Sequence, residues 1–226
     1  MHIILIIVLF LVVVYGPQWW AKRTFKKHAH KQSHIPGTGG ELARHLLDKY
    51  DMQDVPVEET EQGDHYDPDE RVVRLSPNNY RDNSLTAVAV AAHEVGHAIQ
   101  HQRKESKLLL RSKLVRIAQK SEKLGSALMI AMPVMAVVSR SPVVGLLFML
   151  GGFVSIAGAT LVHLVTLPVE WDASFGKALP ILKTGYIHEE DHQAVESILK
   201  AAALTYVAAS LTSLLNVWRW ISLLRR

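Results

Sequence analysis

Apolar residues in this chain are gathered into blocks, and that distribution limits the folds open to it more than any average does. Ile3 to Tyr15 is an unbroken apolar run, followed by Gly16, Pro17, Trp19 and Trp20. With these flanks it approaches the roughly 20 residues that cross a bilayer as a helix, and the tryptophans stand where an interfacial anchor belongs. The run has no basic segment before it and no small-residue cleavage pattern after it, which predicts a retained anchor rather than a signal peptide. Between Gly125 and Val169 the only ionisable residues are Arg140 and His163. That stretch is too long for one span and suits two, with Ser139–Pro142 as the turn, and Gly145, Gly151, Gly152, Gly158 and Ala159 as small faces for close helix approach. A last apolar segment, 201–224, either spans or lies in the interface.

The 49% hydrophobic content and the 20% charged fraction average over these blocks and conceal them. The net charge of +4 is too mild to argue a nucleic-acid partner. The chain contains no cysteine, which removes disulfides, thiol nucleophiles and cysteine-ligated zinc. Any metal must be held by His, Asp or Glu, a ligand set that favours catalytic over structural zinc. Lys22, Arg23, Lys26, Lys27 and Lys31 follow the first apolar block, so the positive-inside rule places this side in the cytoplasm.

The expected organisation is an anchor over 1–21, a cytoplasmic metalloprotease region over 22–123, a helical hairpin over 124–166, a ligand-bearing helix and loop over 167–200, and a terminal helix over 201–226. The fold class is a mainly α membrane protein with a small β element and about three to four transmembrane helices. Within the polar region, Thr38 and Glu41 have capping-box spacing, and Leu42, Leu46, Leu47 and Tyr50 recur at helical intervals, predicting a helix over 40–50. Val55–Glu58 and Arg71–Leu75 read as short strands separated by the turn-rich Asp64–Asp69. Ser84 is a candidate N-cap for a helix from Leu85 to about Arg103. Residues 106–124 carry six Lys or Arg among leucines and suggest a basic helix against the membrane surface.

Inside the helix at 85–103 lies His93-Glu94-Val95-Gly96-His97, an H-E-x-x-H pattern. Spacing i, i+4 sets both imidazoles on one helix face, where they can share one metal, with Glu94 beside them as general base. Ala87–Ala92 and Ala98-Ile99 give the motif the apolar setting of a buried helix. Gly96 weakens a helix by about 1 kcal/mol relative to Ala, which makes sense where another backbone or a substrate packs closely. A catalytic zinc needs a third protein ligand. Glu170, just after Pro168 at the end of the second span, meets the requirement; Asp172 and His163 compete, and His101 is on the ligand face but too far along the helix.

Ala91-Ala92-His93-Glu94-Val95-Gly96-His97-Ala98-Ile99-Gln100-His101 resembles the signature of the bacterial membrane-bound neutral zinc metallopeptidases of the YugP type. Asp64–Pro68, Val72–Ser76, Leu167–Glu170 and Ala202–Val207 are similar to other blocks of that family, so the likeness covers nearly the whole chain. More distantly, Glu170-Trp171-Asp172-Ala173 is similar to the E-x-x-A-D ligand helix of the HtpX and CAAX-prenyl-type membrane proteases, although Ser174 stands where that pattern has Asp. The resemblance implies a gluzincin-like zinc peptidase core with His93, His97 and Glu170 as the metal ligands of Zn2+ and Glu94 as the catalytic base. It implies hydrolysis of peptide bonds by a bacterial membrane enzyme. The basic residues after the first apolar block put the site on the cytoplasmic side of the cytoplasmic membrane, and the position of Glu170 directly after a span puts protein or peptide substrates near the bilayer surface. The resemblance also suggests that 71–75 is an edge strand for an extended substrate, or else a strand that only closes the sheet.

Other readings belong to other classes: a catalytically silent membrane scaffold that keeps the zinc-protease fold, or a metal carrier suggested by the 12 histidines. Glu94 argues against the first, and spans nearly free of ionisable residues argue against the second. His28, His30 and His34 form a possible metal-capturing tract, more simply a solvated segment near anionic lipid. Tyr206 is a candidate oxyanion donor or a packing tyrosine, and 188–192 reads as a solvated acidic loop.

Overall fold

Helix-forming patterns dominate the chain, and the structure, a computed structural model describing residues 2–205, is mainly helical with one small sheet. Helix α1 spans His2–Lys27, α2 Gly39–Lys49, α3 Pro77–Arg81, α4 Leu85–Gln102, α5 Ser106–Val138, α6 Pro142–Trp171 and α7 Leu179–Lys183. A π-helical segment, Asp172–Ala178, continues α6 into α7. Residues 192–205 form a further helix, α8. Tyr206 and the rest of the last apolar segment lie outside the described residues, as does the side chain of His163.

Local chemistry explains the helix starts. Thr38 Oγ1 accepts from the Glu41 amide at 3.2 Å, and Glu41 Oε2 accepts from the Thr38 amide at 2.7 Å, so two of the unpaired donors at the start of α2 are satisfied reciprocally. Ser84 Oγ caps α4 by accepting from the Ala87 amide at 3.1 Å. Every residue of α4 from Leu85 to Gln100 is buried. A helix enclosed on all sides needs small residues where neighbours approach, and Ala87, Ala89, Ala91 and Ala92 supply them.

The sheet differs from the sequence expectation. Its strands are β1 (Val57–Glu59), β2 (His65–Asp67) and β3 (Val72–Leu75), in the order β1-β3-β2. β3 pairs in parallel with β1 through Val57 opposite Val73, and antiparallel with β2 through Tyr66 opposite Val73. Strand 71–75 is therefore central, with both edges occupied, and has no edge to offer a substrate. The turn-rich segment Asp64–Asp69 holds a strand, because pairing with β3 and burial of Tyr66 override its composition.

The chain divides into two units. One consists of Gln18–Leu110 and Pro168–Thr205. Its core joins Leu46 and Leu47 of α2, Val73 and Leu75 of β3, Ile99 of α4, Leu182 of α7, and Ile198 and Leu199 of α8. The other unit includes Arg111–Leu167. There α5 and α6 reverse direction at Ser139–Ser141, where Arg140 takes φ +50°. Small residues let the two helices approach: a Cβ on Gly152 would stand 2.6 Å from Met129 Cγ, and one on Gly145 2.8 Å from Ala136 Cβ. The stretch expected to be a separate basic helix, 106–124, is the first part of α5, which runs unbroken to Val138. By length and composition α5 is able to cross a membrane, and Pro142–Ser155 of α6 is a shorter apolar stretch. Val137 and Val138 of α5 and Val143 and Val154 of α6 are among the exposed hydrophobic side chains of this hairpin.

Candidate metal centre

His93 and His97 project from α4, and Glu170 is supplied by the last turn of α6, immediately before the π-helical segment. The three are brought together in the unit that holds the core: Glu170 Oε2 lies 3.1 Å from His97 Nε2 and 3.4 Å from His93 Nε2. One ligand atom from each residue lies within 4.8 Å of the other two. His93 and His97 are 3% exposed and Glu170 is 0% exposed. The imidazoles stand nearly perpendicular, at 80° with centroids 4.8 Å apart. Glu94, next to His93, is buried as well.

The donor set fits zinc. Nitrogen and oxygen ligands about 2.0–2.1 Å from one tetrahedral zinc stand about 3.3–3.4 Å from each other, and the two His–Glu separations bracket that figure. A carboxylate buried to this degree is costly to desolvate unless a cation faces it, which is the situation a metal between these three atoms creates.

Close backbone packing brings Glu170 within reach. A Cβ on Gly96 would meet the carbonyl oxygen of Ala173 at 2.8 Å and its carbonyl carbon at 3.3 Å. Gly96 thus lets the π-helical segment lie directly on α4, one residue before His97. π-helical turns inserted into α-helices are often found at functional sites; here the segment carries Ala173 and Ser174 into the interior, both fully buried.

A second layer of side chains surrounds these three residues. His93 Nδ1 contacts Ser174 Oγ at 2.9 Å, and Ser174 Oγ donates to the Leu199 carbonyl at 2.9 Å. His97 Nδ1 contacts Gln100 Oε1 at 3.0 Å. Gln100 Nε2 donates to the Val169 carbonyl at 3.0 Å and to Asp172 Oδ2 at 2.8 Å. Asp172 also pairs with Lys177, which reaches Glu105 Oε1 at 3.1 Å. Burial alone would raise the Asp172 pKa, but the bonds from Lys177 and Gln100 outweigh it and hold the carboxyl below its ordinary range.

The remaining sequence candidates lie elsewhere. Asp172 braces Gln100 and does not join the three-residue group. His101 Nδ1 bonds to the Tyr66 hydroxyl at 2.8 Å, and burial, then the nearby Arg71 charge, lower its pKa below 6.5. Among the described residues the His28, His30 and His34 tract does not converge: His30 contacts Gln32, and His34 pairs with Asp191 at 2.7 Å. Asp191 ties its loop to the body of the protein, so the 188–192 segment is not wholly free in solvent. Gln100 is the site residue that sequence reasoning did not assign a place; Ser174, which stands where the likened E-x-x-A-D ligand helix has Asp, contacts His93 all the same. The signal for Gln100 was present, since it lies three residues beyond His97 on the same helical face.

Residues 3–225 match a family model described as "Putative neutral zinc metallopeptidase". The chain is also 36% identical over 217 residues to "Putative membrane protease YugP" of Bacillus subtilis (strain 168), covering 93% of this chain and 92% of that relative. No solved structure matches the chain.

Proposed function

The chain belongs to the neutral zinc metallopeptidase family, and on that premise we propose that it is a membrane-bound zinc endopeptidase with His93, His97 and Glu170 as metal ligands and Glu94 as general base. The observation that carries this reading is the convergence of two imidazole nitrogens and one carboxylate oxygen within 4.8 Å, in a buried place. When bound, zinc supplies Lewis acidity, bringing water to a pKa near 7 and polarising the scissile carbonyl. Glu94 takes the proton from the attacking water as the C–O bond forms. It returns that proton to the amide nitrogen as the C–N bond breaks, so the departing group leaves as a neutral amine. Burial of Glu94 places this transfer where bulk water does not compete for the proton.

The distribution of apolar blocks supports three to four transmembrane helices: an anchor over 1–21, the hairpin over 124–166, and the terminal segment over 201–226. The basic residues 22–31 support a cytoplasmic position for the 22–123 region and for the 167–200 segment that bears Glu170. In a bacterial cell this is the inner face of the cytoplasmic membrane. Glu170 follows an apolar span within a few residues, which favours substrates at or near the bilayer surface: membrane proteins, juxtamembrane segments or unfolded chains.

The test is cleavage of an unfolded protein substrate by detergent-purified wild type and Glu94→Gln. The expected result is cleavage by wild type and a loss of at least about 100-fold in the variant, the contribution typical of a positioned base. Stoichiometric zinc in both proteins with no cleavage by either would overturn the peptidase reading.

A further inference from the structure

Hydrogen-bond directions around the two candidate ligand histidines are fixed by proton counting. A carbonyl and a carboxylate only accept, so the bonds to Val169 O and Asp172 Oδ2 use both protons of the Gln100 amide. The amide oxygen is therefore the end turned toward His97, 3.0 Å from Nδ1. An oxygen with no proton requires a donor there, so His97 carries its hydrogen on Nδ1. Ser174 has a single hydroxyl proton, and its bond to the Leu199 carbonyl uses it. The 2.9 Å contact to His93 is then Nδ1–H donating to Ser174 Oγ. A neutral imidazole has one N–H, so both rings are left with a bare Nε2. Those are the two atoms that face Glu170 Oε2.

We propose that Gln100 and Ser174 are positioning residues, each accepting the Nδ1–H of one ligand imidazole and holding both rings in the tautomer and orientation that present Nε2 to zinc. The inference rests on the metal-site reading above. Ser174 is 0% exposed and Gln100 is 1% exposed, so water does not replace either acceptor without cost. Gln100 is itself braced: Asp172 and the Val169 carbonyl hold its amide, and Lys177 with Glu105 hold Asp172. Both acceptors are neutral, so the charge opposing the metal comes from Glu170 rather than from carboxylates behind the histidines. Outer partners of this kind contribute about 10–100-fold to metal affinity.

The test measures zinc dissociation constants by chelator competition for detergent-purified wild type, His97→Ala, Gln100→Met and Ser174→Ala, together with long-range proton–nitrogen-15 spectra of the zinc-loaded proteins. Gln100→Met and Ser174→Ala are each expected to weaken zinc binding by about 10–100-fold. In the spectra, wild type shows both ligand rings with hydrogen on Nδ1. Gln100→Met moves the His97 Nδ1–H signal alone, and Ser174→Ala moves that of His93 alone, a selectivity that general loosening of the fold would not produce. If wild type and both variants bind one zinc equally tightly while His97→Ala binds none, the positioning role is overturned and the metal site stands. If wild type binds no zinc, the metal-site reading itself fails. Should a variant not fold, the wild-type spectrum still decides: hydrogen on Nε2 of either ring contradicts the inference.

Discussion

Replacing Gly96 by Ala sets two effects of opposite sign against each other. In an ordinary helix interior the change is stabilising by about 1 kcal/mol, because Ala loses less backbone entropy on folding. In α4 the new methyl would stand 2.8 Å from the Ala173 carbonyl oxygen and 3.3 Å from the carbon bearing it. That oxygen belongs to backbone and has no rotamer to adopt, so the π-helical segment must move as a body. Overpacking of this kind costs about 1–3 kcal/mol. Its rigidity places the case in the upper half of that range, leaving a net destabilisation of about 1–2 kcal/mol after the helix-propensity gain. For a chain of this size each kcal/mol lowers the melting temperature by about 2–4 °C, so the expected fall is about 2–8 °C in a thermal melt of the detergent-solubilised protein. Zinc affinity should fall with it, because the displaced segment follows Glu170 and carries Ser174. A variant that melts above wild type and keeps wild-type zinc affinity would refute the account of why glycine stands between Glu94 and His97.

Thr38→Ala removes one half of the α2 capping box and should cost about 1 kcal/mol of stability, readable in a chemical or thermal melt; no loss would mean the cap is not formed in solution. Gly152→Ala puts a methyl 2.6 Å from Met129 Cγ and 2.9 Å from the Gly125 carbonyl, so resistance of the α5–α6 hairpin to proteolysis in detergent should drop, while a neutral result would contradict that packing. His101 has a folded-state pKa below 6.5, so the unfolded chain binds the proton more readily. Its contribution is fully present above pH 6.5 and is lost as the pH falls through the folded value. His101→Gln should accordingly flatten the acid side of a stability–pH curve; an unchanged slope would show that His101 is not responsible.

Local features of the sequence foretold local features of the structure. The Thr38–Glu41 spacing and the Ser84 cap located α2 and α4 to within a residue, because a cap is set by side chains three residues apart. Strand β2 was not legible: Asp64, Asp67, Pro68 and Asp69 speak for a turn, and only the distant β3 makes His65–Asp67 a strand. For the same reason the central place of β3 could not be inferred, since strand order follows from which neighbours bury Val73 and Tyr66. At the site, the i, i+4 pair of histidines was evident from helical geometry. Glu170 lies 73 residues beyond His97 and was singled out among rivals by likeness to known peptidases. Gly96 was marked by a mismatch, a helix breaker without a local reason, and the cause is the Ala173 backbone. The tasks of Gln100 and Ser174 depend on where their protons go, which only the packed arrangement of α4, the π-helical segment and α8 determines.

The most direct measurement of the central claim is the zinc content of the purified protein, determined per chain for wild type, Glu94→Gln and Glu170→Ala. The account predicts one zinc in wild type and in Glu94→Gln, and loss of zinc from Glu170→Ala. Full occupancy in Glu170→Ala, or none in wild type, would contradict a centre built from His93, His97 and Glu170.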